Sequence, residues 1–178
     1  MGKCKSCDCG SVKVGYYKID ASVRSPEFST YGSACFDLHS YLPAGMSIKI
    51  YDSWNDSIDF IVGDDRAVTL ASNDTALIPT GIIFDIPSKW SIRLHARSGL
   101  SLKKGLVLQN SEGIIDSDYV EPVYVMVCNS RNAPLRITNH MRICQAEAIE
   151  NASYSLVSSS KYPGQKTNRI GGFGSTGT

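Results

Sequence analysis

Short runs that alternate apolar and polar residues recur along the whole chain, with turn-forming clusters between them. Met46-Ser47-Ile48-Lys49-Ile50 and Trp90-Ser91-Ile92-Arg93-Leu94-His95 alternate with a period of two, which sends successive side chains to opposite faces of a strand. Val12 to Tyr16, Thr75 to Pro79, Gly81 to Ile86, Leu135 to Ile137 and Ile143 to Ile149 supply further strands. Val123-Tyr124-Val125-Met126-Val127 is continuously apolar, the pattern of a strand buried on both faces. Leu42-Pro43-Ala44-Gly45, Ser72-Asn73-Asp74, Pro87-Ser88-Lys89 and Lys103-Lys104-Gly105 hold the residue types that turns demand. No window keeps an i, i+3, i+4, i+7 apolar pattern over three helical turns. Many short strands at this spacing predict an all-β domain, a sandwich or jelly roll.

A chain of 178 residues is long enough to bury one core without disulfide staples. Its 18 Lys and Arg against 17 Asp and Glu leave a formal charge of +1, without the basic excess of a nonspecific nucleic-acid binder. No nucleic-acid partner is expected. No apolar run approaches the ~20 residues that span a bilayer, and the N-terminus lacks the apolar stretch of a signal peptide. No membrane partner is expected, and the cytoplasm is the expected location, the host's if the source is viral.

Cys4, Cys7 and Cys9 form C-x2-C-x-C within residues 1–10. Three local thiols with no nearby histidine fall short of a four-ligand zinc site, so this stretch is either a flexible leader or a metal or redox cluster. Cys35, Cys128 and Cys144 stand singly in apolar contexts and are expected to be buried packing residues. Tyr51 to Arg66 shifts composition: Asp52, Asp56, Asp59, Asp64 and Asp65 surround Trp54, Phe60 and Ile61. It is expected to be an insertion between two strands, a hairpin or a short helix. The expected division is a leader at 1–10, a β domain at 11–165 with the insertion at 51–66, and a tail at 166–178.

Five segments carry groups suited to chemistry. Gly32 to Leu38 places Asp37 in an apolar strand, where a carboxylate needs a partner such as an arginine. Ala96-Arg97-Ser98-Gly99-Leu100-Ser101 follows a strong strand. Arg97 offers a planar fork for phosphate oxygens, Ser98 a hydroxyl, and Gly99 a close approach for backbone amides. Asn110 to Tyr119, taken as a hairpin, offers the Asn110 amide to a base edge, Tyr119 to a sugar, and Asp116 as a base; an acidic turn with no ligand has the same composition. Arg142-Ile143-Cys144-Gln145 sets an Arg and a Gln in a strand. The last residues, Asn168 to Thr178, put Phe173 among glycines and hydroxyls. Such a tail either frays or folds over a ligand, with Phe173 stacking on a base.

Together, and in this order, these segments closely resemble the five motifs of the trimeric dUTP pyrophosphatase (dUTPase) family. The connecting stretches Ala76 to Gly81 and Leu100 to Leu106 match as well, so the resemblance covers roughly residues 12–178. It implies a distorted jelly-roll subunit in a homotrimer with a C-terminal arm, each site built by all three subunits. It implies hydrolysis of dUTP to dUMP and pyrophosphate, which clears dUTP and supplies dUMP for thymidylate synthesis.

The resemblance also implies roles. Asp116 matches the general base that activates water. Asn110, Gly113, Ile114 and Ile115 match the uracil-reading segment, and Tyr119 the ring under the deoxyribose that leaves no room for a 2′-hydroxyl. Tyr124 falls in the same substrate-binding set. Arg97, Ser98, Gly99 and Gln145 match triphosphate contacts. Phe173 matches the tail aromatic that stacks on uracil, with Gly172, Gly174 and Ser175 closing over the phosphates. Asp37 matches an acid that orders the phosphate arginine and metal-bound water. Mg2+ is implied as cofactor, held by triphosphate and water with no direct protein ligand.

Departures from the family pattern are visible. Cys35 stands where Gly is usual, Phe36 for Tyr, Ala96 for Pro and Glu121 for Gly. Arg169 lies one residue late for the tail arginine. Two alternatives remain open: a dCTP deaminase-type enzyme of the same fold, and a dUTPase-like binding or regulatory protein.

Overall fold

Residues 11–168 are described by the structure, a computed structural model. The strands in chain order are β1 (Gly15–Lys18), β2 (Glu27–Phe28), β3 (Phe36–His39), β4 (Ser47–Tyr51), β5 (Ser57–Ile61), β6 (Ala67–Leu70) and β7 (Thr75–Pro79). They continue with β8 (Ile82–Asp85), β9 (Trp90–His95), β10 (Leu106–Leu108), β11 (Gly113–Ile115), β12 (Tyr124–Asn129), β13 (Leu135–Thr138) and β14 (Arg142–Glu150). One short helix, α1 (Ser98–Lys104), lies between β9 and β10.

Two five-stranded antiparallel sheets dominate, ordered β10-β12-β7-β4-β5 and β11-β9-β14-β3-β2; β1-β8 and β13-β6 are two-stranded ribbons. Consecutive strands repeatedly change sheet, as the expected jelly-roll architecture requires. The inward residues of both sheets meet in one apolar cluster. Ile48, Ile78 and Val125 come from the first sheet and Leu38, Ile92 and Ile143 from the second. Each such Leu or Ile contributes roughly 1.5–3 kcal/mol when fully buried.

Strand β14 carries a register irregularity between Arg142 and Cys144. Arg142 pairs with His39 and Gln145 with Asp37, while Ile143 and Cys144 are both fully buried. A bulge of this kind re-aims the residues beside it; here Arg142 reaches Asp37 Oδ2, while Gln145 stands opposite Asp37 in the register.

Several expectations are corrected. Strand β12 is not buried on both faces: Val125 and Val127 face the core, whereas Tyr124 and Met126 are 49% and 38% exposed. The apolar run hid the alternation because its outward residues are themselves apolar. Val12 is exposed, and the first strand begins only at Gly15. Helix α1 was not expected. It spans seven residues and buries none, so it leaves no apolar period to read. It stops at Gly105, whose left-handed φ of 71° lets its amide donate to the Ser101 carbonyl. Cys128 and Cys144 are buried as expected, and burial pushes the Cys144 thiol far up; Cys35 is only partly buried. Among the described residues no helix is long and apolar enough to cross a membrane.

Of the two forms expected for the acidic 51–66 segment, the structure shows the hairpin. Its outgoing strand β5 pairs with β4 over five residues. Phe60 packs against the core and Val62 is 1% exposed. The excursion proper is the turn between the strands. There the Asp52 carboxylate accepts hydrogen bonds from the amides of Trp54 and Asp56, both at 2.9 Å, while Trp54 is exposed. Replacing residues 53–55 with a two-residue turn should therefore leave urea stability within about 1 kcal/mol. Removing 51–66 strips Val62 and Phe60 from the core and should cost several kcal/mol. Equal stability of the two deletions would overturn this division.

The last strand ends at Glu150; residues 151–168 form no strand and are exposed throughout. The expected leader at 1–10 and the tail residues Arg169, Gly172, Phe173, Gly174 and Ser175 lie outside the described residues.

Candidate active site

A carboxylate inside an apolar strand has to find donors or be protonated. Asp37 on β3 finds three. Arg97 Nε lies 3.0 Å from its Oδ1, Arg142 Nη1 lies 3.0 Å from its Oδ2, and the Ser29 hydroxyl donates to Oδ2 at 2.9 Å. Only 7% of Asp37 is exposed. The Arg97 guanidinium also donates to the Arg142 carbonyl at 3.0 Å. Arg97 is thus held in one orientation at two points of its planar fork, with the rest of that fork left for a ligand.

Arg97 is the N-cap of α1 in an extended conformation, so the chain turns from β9 into the helix at this residue. Ser98 and Gly99 open the helix, where the first amides lack an intrahelical acceptor. Gln145 on β14 donates its amide to the Ala96 carbonyl at 3.2 Å, which ties β14 to the same turn. A cavity of about 420 Å³ results, lined by Asp37, Arg97, Ser98, Gly99 and Gln145 together with Ser29, Ser33, Ala34 and Cys35. A fixed guanidinium, hydroxyls and an amide around a small open cavity suit the oxygens of a phosphate chain.

Two carboxylates near Cys35, Glu147 and Asp37, and its own partial burial raise its thiol pKa, burial being the larger cause. His39 sits behind Asp37. Burial lowers its pKa, against the pull of Asp37 and Glu27, and its Nδ1 has no partner among the described residues.

The remaining expected site residues lie elsewhere. Asn110, Gly113, Ile114, Ile115, Asp116, Tyr119 and Tyr124 do not line this cavity. Nor do Asn110 to Tyr119 form a hairpin: β10 pairs with β12 in one sheet, and β11 pairs with β9 in the other. The segment is a crossing between sheets. Gly113 lets β11 approach β9 closely here, since a Cβ would stand 3.0 Å from the Leu94 side chain, which would have to give way. Beyond β11 the Tyr119 amide donates to the Asp116 carbonyl at 3.1 Å, and the Tyr119 hydroxyl to the Pro122 carbonyl at 3.1 Å. This turn presents Asp116 and Tyr119 as exposed groups, and Tyr124 is exposed at the start of β12.

Arg142 and Ser29 complete the ion-pair cluster at Asp37; the sequence marks Arg142 as a charge in an apolar strand without assigning it a role, and does not mark Ser29. The signal for Arg142 was present: a lone charge beside a buried strand, opposite the lone acid of another. Ser29 left none, since hydroxyls are common in loops.

The profile of the dUTPase family matches residues 57–177 of the chain. A deoxyuridine 5'-triphosphate nucleotidohydrolase of Roseobacter denitrificans is 37% identical over 161 residues, covering 89% of this chain and 90% of that protein. Its counterpart in Brucella melitensis biotype 2 is 33% identical over 153 residues, covering 86% and 84%. Among solved structures, a dUTPase of Staphylococcus bacteriophage 80alpha with dUpNHpp superposes with a TM-score of 0.71 at 19% identity, covering 94% of this chain and all of that one. A dUTPase of phage phi11 of S. aureus, described with a coordinated structural Mg(II) ion, superposes with a TM-score of 0.66 at 17% identity, covering 86% and 100%. At these identities the structures speak for the fold alone.

Proposed function

We propose, for a chain that belongs to the dUTPase family, that the hydrolytic site is divided between copies of the chain, Asp116 of one copy facing the phosphate cavity of another. The chain hydrolyses dUTP to dUMP and pyrophosphate. The observation that carries the divided site is the separation just described. One chain builds a cavity around Arg97, Ser98 and Gln145, and holds its expected base and sugar residues outside it.

In this reading Arg97, Ser98, Gly99 and Gln145 hold the triphosphate. Asp116 takes a proton from water as the water oxygen bonds to the α-phosphorus and the bond to the pyrophosphate leaving group breaks. Asn110 and the backbone at 113–115 read the uracil edge, and Tyr119 packs where a 2′-hydroxyl would stand. Positioning and charge stabilisation then supply most of the rate enhancement. The homotrimer of the family resemblance would unite the parts. The exposed strip of Tyr124 and Met126 on β12, and the exposed Tyr154, Leu156 and Val157 after β14, are apolar surface available for such contacts. The tail residues Arg169, Gly172, Phe173, Gly174 and Ser175 would close over bound nucleotide.

The cavity fits Mg2+ carried in by the nucleotide. Both Asp37 oxygens already accept from arginines, and no group of three metal-ligating side chains occurs among the described residues. Triphosphate oxygens and water would therefore be its ligands, as Mg2+ prefers. When bound, it would supply neutralisation of phosphate charge.

The test is a product assay across the deoxynucleoside triphosphates and UTP, with particle mass measured in parallel. Pyrophosphate release from dUTP is expected, at least about 10⁴-fold better in kcat/KM than from dCTP, because the wrong base leaves buried hydrogen-bonding groups unpaired. Activity should reside in the trimer. An active monomer would refute the divided site, and ammonia release from dCTP would favour a deaminase.

A further inference from the structure

We propose that Glu112 is a positioning residue for base recognition, held by Arg93 and His95 on β9 and linked through His95 to β14. The proposal rests on the reading of Asn110 and its neighbours as the base-contacting segment. Residues 109–112 make the crossing between the two sheets, and backbone bonds hold them mainly to their own side. The Gln109 amide donates to the Met126 carbonyl at 3.0 Å and the Ser111 amide to the Leu108 carbonyl at 3.1 Å. Ser111 adopts a left-handed φ of 63°, and the Glu112 amide donates to the Asn110 carbonyl at 2.7 Å. The placement of Asn110 is therefore coupled directly to that of Glu112.

The Glu112 side chain supplies a tie to the far sheet. Its Oε2 lies 3.7 Å from Arg93 Nη1 and its Oε1 lies 3.7 Å from His95 Nδ1. Arg93 and His95 are two apart on β9 and share its outward face. His95 Nε2 lies 3.0 Å from Glu147 Oε1 on β14. In the sheet register Gln145 stands opposite His95, and Glu147 opposite Arg93. A series of polar side chains thus runs from the crossing segment, over β9, to the strand that carries the cavity's Gln145: the Glu112 carboxylate lies within ion-pair range of Arg93 and beside His95, and His95 is hydrogen-bonded to Glu147. Arg93, His95 and Glu147 are partly buried, at 24%, 29% and 33% exposed, and Glu112 is exposed at 47%. They are screened less than a pair in free solution, yet remain dispensable for the core.

The consequence is specific. Removing the Glu112 carboxylate should loosen the Asn110 segment without disturbing Asp116 chemistry or core packing. In the trimer, Glu112→Ala is expected to raise KM for dUTP about fivefold, with kcat within about twofold of the parent and an unchanged unfolding temperature. The dUTP over dCTP ratio of kcat/KM should fall by a similar factor. Glu112→Gln should recover part of the loss by keeping one acceptor. His95→Phe should shift KM in the same direction, and the double variant Glu112→Ala/His95→Phe should be no worse than Glu112→Ala alone, as expected for two members of one network. Wild-type KM and base discrimination in Glu112→Ala, or fully additive losses in the double variant, would overturn the proposal. Asn110→Ala separates the two levels. If it leaves discrimination intact, the base-contacting assignment fails and the proposal falls with it. If it collapses discrimination while Glu112→Ala does not, only the positioning role fails.

Discussion

Asp116→Asn is expected to fold, assemble and bind dUTP as the parent does, while turnover falls by about 10²–10⁴-fold, the usual worth of a positioned general base. The structural half of this expectation follows from where Asp116 stands. It is exposed at the start of a turn, and the turn is closed by its backbone carbonyl, which accepts from the Tyr119 amide. An isosteric amide leaves that bond intact and touches no core residue, so stability should stay within about 0.5 kcal/mol. The chemical half follows from the amide, which cannot take the water proton. Pyrophosphate release at saturating dUTP measures the loss, and titration with a non-hydrolysable dUTP analogue measures binding. Turnover near that of the parent would remove Asp116 from the base role. Asp118, also exposed in this turn, is the internal comparison: Asp118→Asn should keep most activity, and a reversal of the two results would move the base to Asp118.

The architecture was legible where the apolar period was complete. β9 is found over Trp90–His95, as the alternation there predicts, and β7 over Thr75–Pro79. It was illegible where the outward face is apolar too. Tyr124 and Met126 on β12 look like core residues in sequence, and only the sheet register reveals that they point away from it. Helix α1 escaped because a seven-residue helix that buries nothing has no periodic signature. The 51–66 segment was legible as a hairpin or a short helix, but aspartates outweigh Phe60 and Val62 in composition, so the packing of those two against the core was not.

The candidate site was legible in residue types and illegible in grouping. A lone Asp37 in an apolar strand calls for a cation, and the structure supplies two, from β14 and from the turn after β9. No local spacing announces that pairing, since Asp37 and Arg142 lie 105 positions apart. The crossing of residues 109–112 between sheets is equally non-local: the sequence favours a hairpin, and the pairings of β10 with β12 and β11 with β9 forbid it. Order of motifs pointed to the chemistry, but only the strand topology divides the motif residues between the cavity around Arg97 and a separate surface that carries Asp116 and Tyr119.

That grouping makes Asp37 the residue on which the cavity depends most. Asp37→Ala removes the acceptor for Arg97 Nε, Arg142 Nη1 and the Ser29 hydroxyl at once. Breaking a fully buried ion pair costs about 3–5 kcal/mol. Here the cost should be lower, about 2–3 kcal/mol, because the Arg142 side chain is half exposed and can return to water. The Arg97 side chain is 23% exposed and has less freedom to do so. The larger effect should be on catalysis. Without Asp37 the guanidinium of Arg97 is held only by the Arg142 carbonyl, and loss of a fixed geometry costs on the order of 10²-fold in rate. Asp37→Asn should fall between, since its carbonyl can still accept from one arginine while its amide faces the other. Arg142→Ala should be mildest, below about 1 kcal/mol and tenfold, because a half-exposed partner contributes little. Urea unfolding at fixed protein concentration, to hold assembly constant, gives the stabilities, and kcat/KM for dUTP gives the activities. A folded Asp37→Ala protein with parental kcat/KM would show that Arg97 needs no anchor, and would leave the ion-pair cluster a structural feature with no part in holding the triphosphate.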